Sequence, residues 1–228
     1  MALCRQWQQS GEIERVIAVS RRSVVLDALG KDQKTHCIQS DYSEPSIEAA
    51  CSQIQALGCS ITRVCICNGI LHNDRIWPEK RIEDFDPAAL TEVLNVNSVI
   101  PLLWLKALLP VVRRGADCVI TVFSARIGSI GDNRSGGWYS YRASKAALNM
   151  LLKTAAVEFA RRARNVKLIA FQPGTADTFL SRPFQGSVKP GNLHTPEFVA
   201  EHLVDIMNAQ TMDGELSFID WENKAIAW

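Results

Sequence analysis

The chain has 228 residues, 47% of them hydrophobic and 21% charged, a balance that suits one soluble domain with a full core. Its 25 Lys and Arg against 24 Asp and Glu leave a formal charge of +1, so nothing electrostatic points to a nucleic-acid or anionic-membrane partner. The 7 cysteines lie mostly in apolar runs and lack metal-ligand spacing, Cys65-Ile-Cys67 included, which reads as small buried hydrophobes in a reducing compartment.

Met1-Ala-Leu-Cys-Arg-Gln-Trp opens the chain without the apolar core or cleavage signature of a secretory leader, so the cytoplasm is the expected compartment. Apolar runs of strand length then occupy 15–20, 36–40, 61–67, 117–123, 166–171 and 215–219. They alternate with helical patterns at 45–58, 87–114, 139–164 and 195–207. The strands are apolar at every position, which requires cover on both faces, as in a parallel sheet between two helix layers. The expected fold is a single doubly wound α/β domain of Rossmann-like type over 1–228.

Asp86-Pro87 supplies an N-cap and a first-turn proline for the long second helix, and Arg113-Arg114-Gly115 a cationic stop. The greasiest stretch, 99–112, is interrupted by Lys106 and Pro110; it is too short for a bilayer and reads as a buried helix. That helix has no polar face, so it is either deep in the core or covered by a partner subunit.

Tyr141-Arg-Ala-Ser-Lys145 places a phenol and an ammonium four residues apart on one helix face. A free tyrosine titrates near about 10, and a neighbouring ammonium lowers that value toward the range of a usable acid/base. Pro101 stands four residues after Asn97 and has no N–H, so the Asn97 carbonyl loses its helical donor. Either a simple kink or a carbonyl free to hold an ordered water follows.

The segment from Ile120 to Asn149, which contains Tyr141-Arg-Ala-Ser-Lys145, resembles the active-site segment of the short-chain dehydrogenase/reductase family. It is most similar to the C-factor-like branch, which includes sniffer-type carbonyl reductases. Cys67-Asn68-Gly69 resembles the family's turn after the fourth strand, Asn95-Val-Asn97 its catalytic asparagine segment, and Pro173-Gly174 with Thr178 its nicotinamide-carboxamide grip. The resemblance spans essentially the whole chain and implies hydride transfer between NADP(H) and a carbonyl or alcohol. It implies Tyr141 as proton donor and acceptor, Lys145 as its modulator and a ribose ligand, and Asn97 as holder of a relay water. Asn68 and Gly69 would join Pro173, Gly174 and Thr178 around the cofactor. Arg21 and Arg22, after the second family strand, suit a 2′-phosphate and favour NADP over NAD, or form a solvated basic turn. Asp41 matches the family aspartate at the adenine, or caps a helix.

Two departures stand out. The family serine, three residues before a glycine, is Ala125 here, counted back from Gly128; Ser124 is the nearest stand-in, although neighbouring strand positions face opposite ways. No T-G-x-x-x-G-x-G precedes the first strand, so the family's central strand and its phosphate-binding glycines are missing from these residues. Binding of the cofactor then depends on what replaces that cradle. An impaired binding or signalling protein on the same fold, or a fragment of an active reductase, stays open beside the enzyme. The segment from Phe179 to His194, with Phe179, Leu180, Phe184 and Val188, reads as an apolar substrate lid with His194 as a surface loop residue. The resemblance also implies a homodimer or homotetramer through the two long helices.

Overall fold

A computed structural model describes residues 1–228. Its elements in chain order are α1 (Ala2–Gln9), β1 (Val16–Ser20), α2 (Ser23–Leu29), β2 (Thr35–Gln39), α3 (Glu44–Ala56), β3 (Arg63–Ile66), α4 (Pro87–Leu94), α5 (Ile100–Val112) and β4 (Cys118–Phe123). Then follow α6 (Tyr139–Arg162), β5 (Val166–Gln172), β6 (Thr175–Ala176), β7 (Leu193–His194), α7 (Pro196–Asn208) and β8 (Leu216–Asp220). Every strand pairing is parallel, as continuous apolarity requires: Ile120 lies opposite Leu168, and Ala170 opposite Phe218. One face of the sheet packs on α3, α5 and α6 through Ile54, Leu105, Leu148 and Leu152; the other packs on α7 through Leu203 and Met207.

The sheet is in two pieces. β1 pairs only with β2, while β3, β4, β5 and β8 form a separate four-stranded ladder. β1 and β3 therefore share a core, with Val19 and Val64 packed on the same cluster, yet exchange no ladder hydrogen bonds.

α2 escapes a reading by periodicity because it is short and opens Ser23-Val24-Val25, yet Leu26 and Leu29 are buried beside Ala18. The Asp86 cap forms as expected, its carboxylate accepting the Ala88 N–H at 2.9 Å. From Pro87 to Val112 the backbone is helical throughout, 26 residues long, and by length and composition apolar enough to cross a membrane. The inner face of this helix is buried as expected, with Leu105 and Val112 each 1% exposed. The helix widens to a π turn over Asn95–Val99, just before Pro101 in the first turn of α5.

Candidate active site

Tyr141 and Lys145 stand in the first two turns of α6, as their spacing demands, with the Lys145 Nζ 5.8 Å from the centre of the Tyr141 ring. Lys145 is buried and donates to the Phe123 carbonyl at the end of β4, at 2.8 Å. The glycine of the serine motif explains that closeness. A side-chain carbon on Gly128 would fall 2.7 Å from both the Lys145 Cβ and its carbonyl carbon, so only glycine lets this turn reach α6.

Asn97, fully buried in the π turn, ties three elements together. Its Oδ1 accepts the Ile70 N–H at 2.7 Å, and its Nδ2 donates to the Ile70 carbonyl at 2.9 Å and to Ser144 Oγ at 3.0 Å. Ser144 Oγ in turn donates to the Tyr141 carbonyl at 2.8 Å, and Ser98 Oγ to the Ser144 carbonyl at 2.7 Å. Gly69 passes beside both groups: a carbon on it would lie 3.7 Å from Asn97 Oδ1 and 3.9 Å from Lys145 Nζ. Tyr141, Lys145, Asn97 and Gly69 thus converge beyond the C-terminal ends of β3 and β4, where open parallel sheets hold ligands.

The electrostatics correct one expectation. Burial pushes the Tyr141 phenol up to about 12, and nothing nearby pulls it down. The same burial brings the Lys145 ammonium down to about 8. At this separation desolvation outweighs the attraction of the pair.

Ser124 is also corrected. It is buried and its hydroxyl donates to Asn149 Oδ1 at 2.6 Å, farther along α6, so it is committed away from Tyr141. Ala125 occupies the position turned the other way, without a hydroxyl.

At the end of β1, Arg21 and Arg22 are exposed, and the Arg21 guanidinium lies 5.4 Å over the Tyr42 ring. Asp41, also exposed, accepts the Ser43 N–H at 2.8 Å ahead of α3; hydrogen bonds from Ser43 hold its carboxyl below the usual range. Asn68 is half-buried beside Gly69. Pro173 leads into Gly174, which takes φ +72 with the His194 ring close enough that an added carbon would stand 2.8 Å from it. Thr178 is exposed, its N–H donating to Ser181 Oγ at 3.3 Å.

His194 is no surface residue: it is buried, stacked on Phe198 at 4.7 Å and tilted against Trp221 at 4.5 Å. The lid reading gains partners that no local spacing announced. Phe184 packs 5.4 Å from Trp77, 5.7 Å from His72 and 4.9 Å from Trp138, whose ring is 6.2 Å from that of Tyr141. A ring nitrogen of His72 meets the Phe179 carbonyl at 3.1 Å. The only prior signal was the density of aromatic residues on both segments.

The family model for short chain dehydrogenases matches residues 2–187, and the chain belongs to that family, a family of oxidoreductases. It is 27% identical over 186 residues to the 1-hydroxy-2-glutathionyl-2-methyl-3-butene dehydrogenase of Rhodococcus sp. (strain AD45), covering 82% of this chain and 76% of that protein. It is likewise 27% identical over 145 residues to the C-signal of Myxococcus xanthus, covering 64% and 82%. Among solved structures, the carbonyl reductase Sniffer of D. melanogaster superposes with a TM-score of 0.85 at 19% identity, over 100% of this chain and 94% of that one. The NADPH-bound carbonyl reductase from chicken fatty liver gives 0.80 at 22% identity, over 94% and 88%. These two likenesses share the Rossmann-like α/β fold.

Proposed function

We propose that this protein is an NADP(H)-dependent oxidoreductase that interconverts a small carbonyl compound and an alcohol, with Tyr141 as the acid/base. The observation that carries this reading is the meeting of Tyr141, Lys145, Asn97 and Gly69 beyond the ends of β3 and β4. In the reducing direction Tyr141 gives its phenolic proton to the substrate oxygen; burial keeps that proton in place up to about 12. Lys145, cationic below about 8, stabilises the phenolate left behind. Asn97 holds the loop at Ile70 against Ser144, keeping the first turns of α6 in register with the cofactor side.

NADPH, when bound, supplies the hydride. Arg21 and Arg22 would meet its 2′-phosphate, Asp41 its adenine, Asn68, Gly69 and Lys145 the nicotinamide ribose side, and Pro173, Gly174 and Thr178 the carboxamide. The exposed guanidinium groups, the bare backbone at Gly69 and the left-handed Gly174 fit these roles. The NADPH-bound carbonyl reductase and the Rhodococcus dehydrogenase support the assignment. The 7 free cysteines suit work in the cytoplasm. The exposed Val99, Met150 and Val157 on the two long helices suit a homodimer or homotetramer.

A binding or signalling role without turnover is the second reading. The divided sheet, Ala125 and the likeness to C-signal favour it.

Titration of the protein with NADPH, followed by fluorescence, separates the two. Binding, with turnover of a ketone that Tyr141→Phe abolishes while NADPH affinity stays nearly unchanged, is the expected result. Retained turnover in that variant refutes the role of Tyr141, and no binding at millimolar NADPH favours the second reading.

A further inference from the structure

α6 begins without a cap of its own. Its N-cap residue, Trp138, offers no side-chain acceptor, and the first turn contains no acidic residue. The backbone N–H groups of that turn still need acceptors. They find one far away in sequence. Glu79, on the loop after β3, is 5% exposed, and its two carboxylate oxygens accept the Ser140 N–H at 3.3 and 3.2 Å. The Ser140 hydroxyl donates to the same carboxylate, and the Trp138 N–H donates to the Glu79 carbonyl at 2.6 Å. A carboxylate at this end of a long helix is also favoured by the helix dipole.

The approach to α6 is strained. Gly136, Gly137 and Trp138 are all left-handed, and at Trp138 (φ 55) there is no glycine to relieve the conformation. Arg142 holds the same turn from the other side, donating to the carbonyls of Gly137 at 2.9 Å and Gly136 at 3.1 Å. Tyr141 is the residue directly after Ser140.

We propose that Glu79 is a positioning residue for Tyr141: its carboxylate, by capping Ser140, holds the first turn of α6 so that the phenol stands where the reaction needs it. The proposal rests on the assignment of Tyr141 as acid/base, and Glu79 acts through Ser140 without touching substrate.

The test combines kinetics with a signal that needs no turnover. Glu79→Ala is expected to lower kcat at least tenfold with KM for NADPH within twofold, and Glu79→Gln, whose amide oxygen still accepts from Ser140, to recover most of the loss. In protein labelled with 3-fluorotyrosine, Tyr42, Tyr139 and Tyr141 give three fluorine resonances, assigned with Tyr141→Phe. Glu79→Ala should shift or broaden that of Tyr141 and leave that of Tyr42 in place. Unchanged kcat, a Glu79→Gln no better than Glu79→Ala, or an unmoved Tyr141 resonance overturns the proposal. If the unsubstituted protein shows no turnover, the enzyme reading fails and the fluorine spectrum alone decides the positioning. Should Glu79→Ala not fold, Glu79→Asp, whose side chain is one methylene shorter and draws the carboxylate back from Ser140, is read the same way, and an unmoved Tyr141 resonance there overturns the proposal equally.

Discussion

Lys145 and Tyr141 are neighbours whose titrations move apart: burial brings the ammonium down to about 8 and pushes the phenol up to about 12. The phenol therefore keeps its proton throughout the neutral range, and the lysine is the group that changes charge near it. Carbonyl reduction is expected to hold steady below about pH 8 and to decline above it as Lys145 loses its proton. A profile of kcat against pH checks this. A flat profile through 8 would remove Lys145 from the proton step.

The same displacement makes Lys145 a liability for folding. Its folded-state value lies below the ordinary lysine value near about 10.4, so the cost of burying the cation is fully present below about 8 and fades as the pH rises toward the unfolded value. Lys145→Met should raise stability near pH 7 by on the order of 1–3 kcal/mol, less at pH 10, while turnover is lost. Urea unfolding at the two pH values reads the difference.

Gly128 offers a steric test of how the site is assembled. Gly128→Ala would press a methyl group to within 2.7 Å of Lys145 backbone and Cβ atoms, neither of which is a flexible chain end. A loss of about 1–3 kcal/mol and a fall in turnover are expected, since relief must displace α6. Thermal unfolding beside kinetics would show both, and an unperturbed variant would contradict the tight approach.

The serine question is decided by two substitutions. Ser124→Ala should cost about 1 kcal/mol, through the bond lost to Asn149, and leave turnover within a few-fold. Ala125→Ser should raise kcat, because a positioned donor of this kind is worth about 10²–10³-fold. If Ser124→Ala abolishes turnover, Ser124 acts on the substrate after all.

Much of the architecture was legible because it depends on local chemistry. Unbroken apolar runs such as Val119–Ile120 and Leu168–Ile169 required a sheet covered on both sides, and the spacing of Tyr141 and Lys145 required a shared helix face. What stayed hidden depends on residues distant in sequence. The capping of Ser140 by Glu79 joins positions 61 apart, and the burial of His194 depends on Trp221 arriving from beyond β8. Ser124 was ambiguous because strand alternation gives two directions and only the position of Asn149 selects one. The sign of the Tyr141 shift is hidden in the sequence, because a neighbouring charge is visible there and the depth of burial is not.

The break between β1 and β3 is also a mechanical boundary. Cooperative unfolding spreads most readily through shared backbone ladders, and none crosses from β1–β2 to the four-stranded sheet. The portion carrying Arg21, Arg22 and Asp41 is expected to exchange its amide protons ahead of β4 and β5, although Ile17, Val19 and Ile38 pack on the common core. A ligand bridging from that portion to Lys145 would then act as a splint, so its grip on this protein would be measured as much in slowed hydrogen exchange at Val16–Ser20 as in affinity.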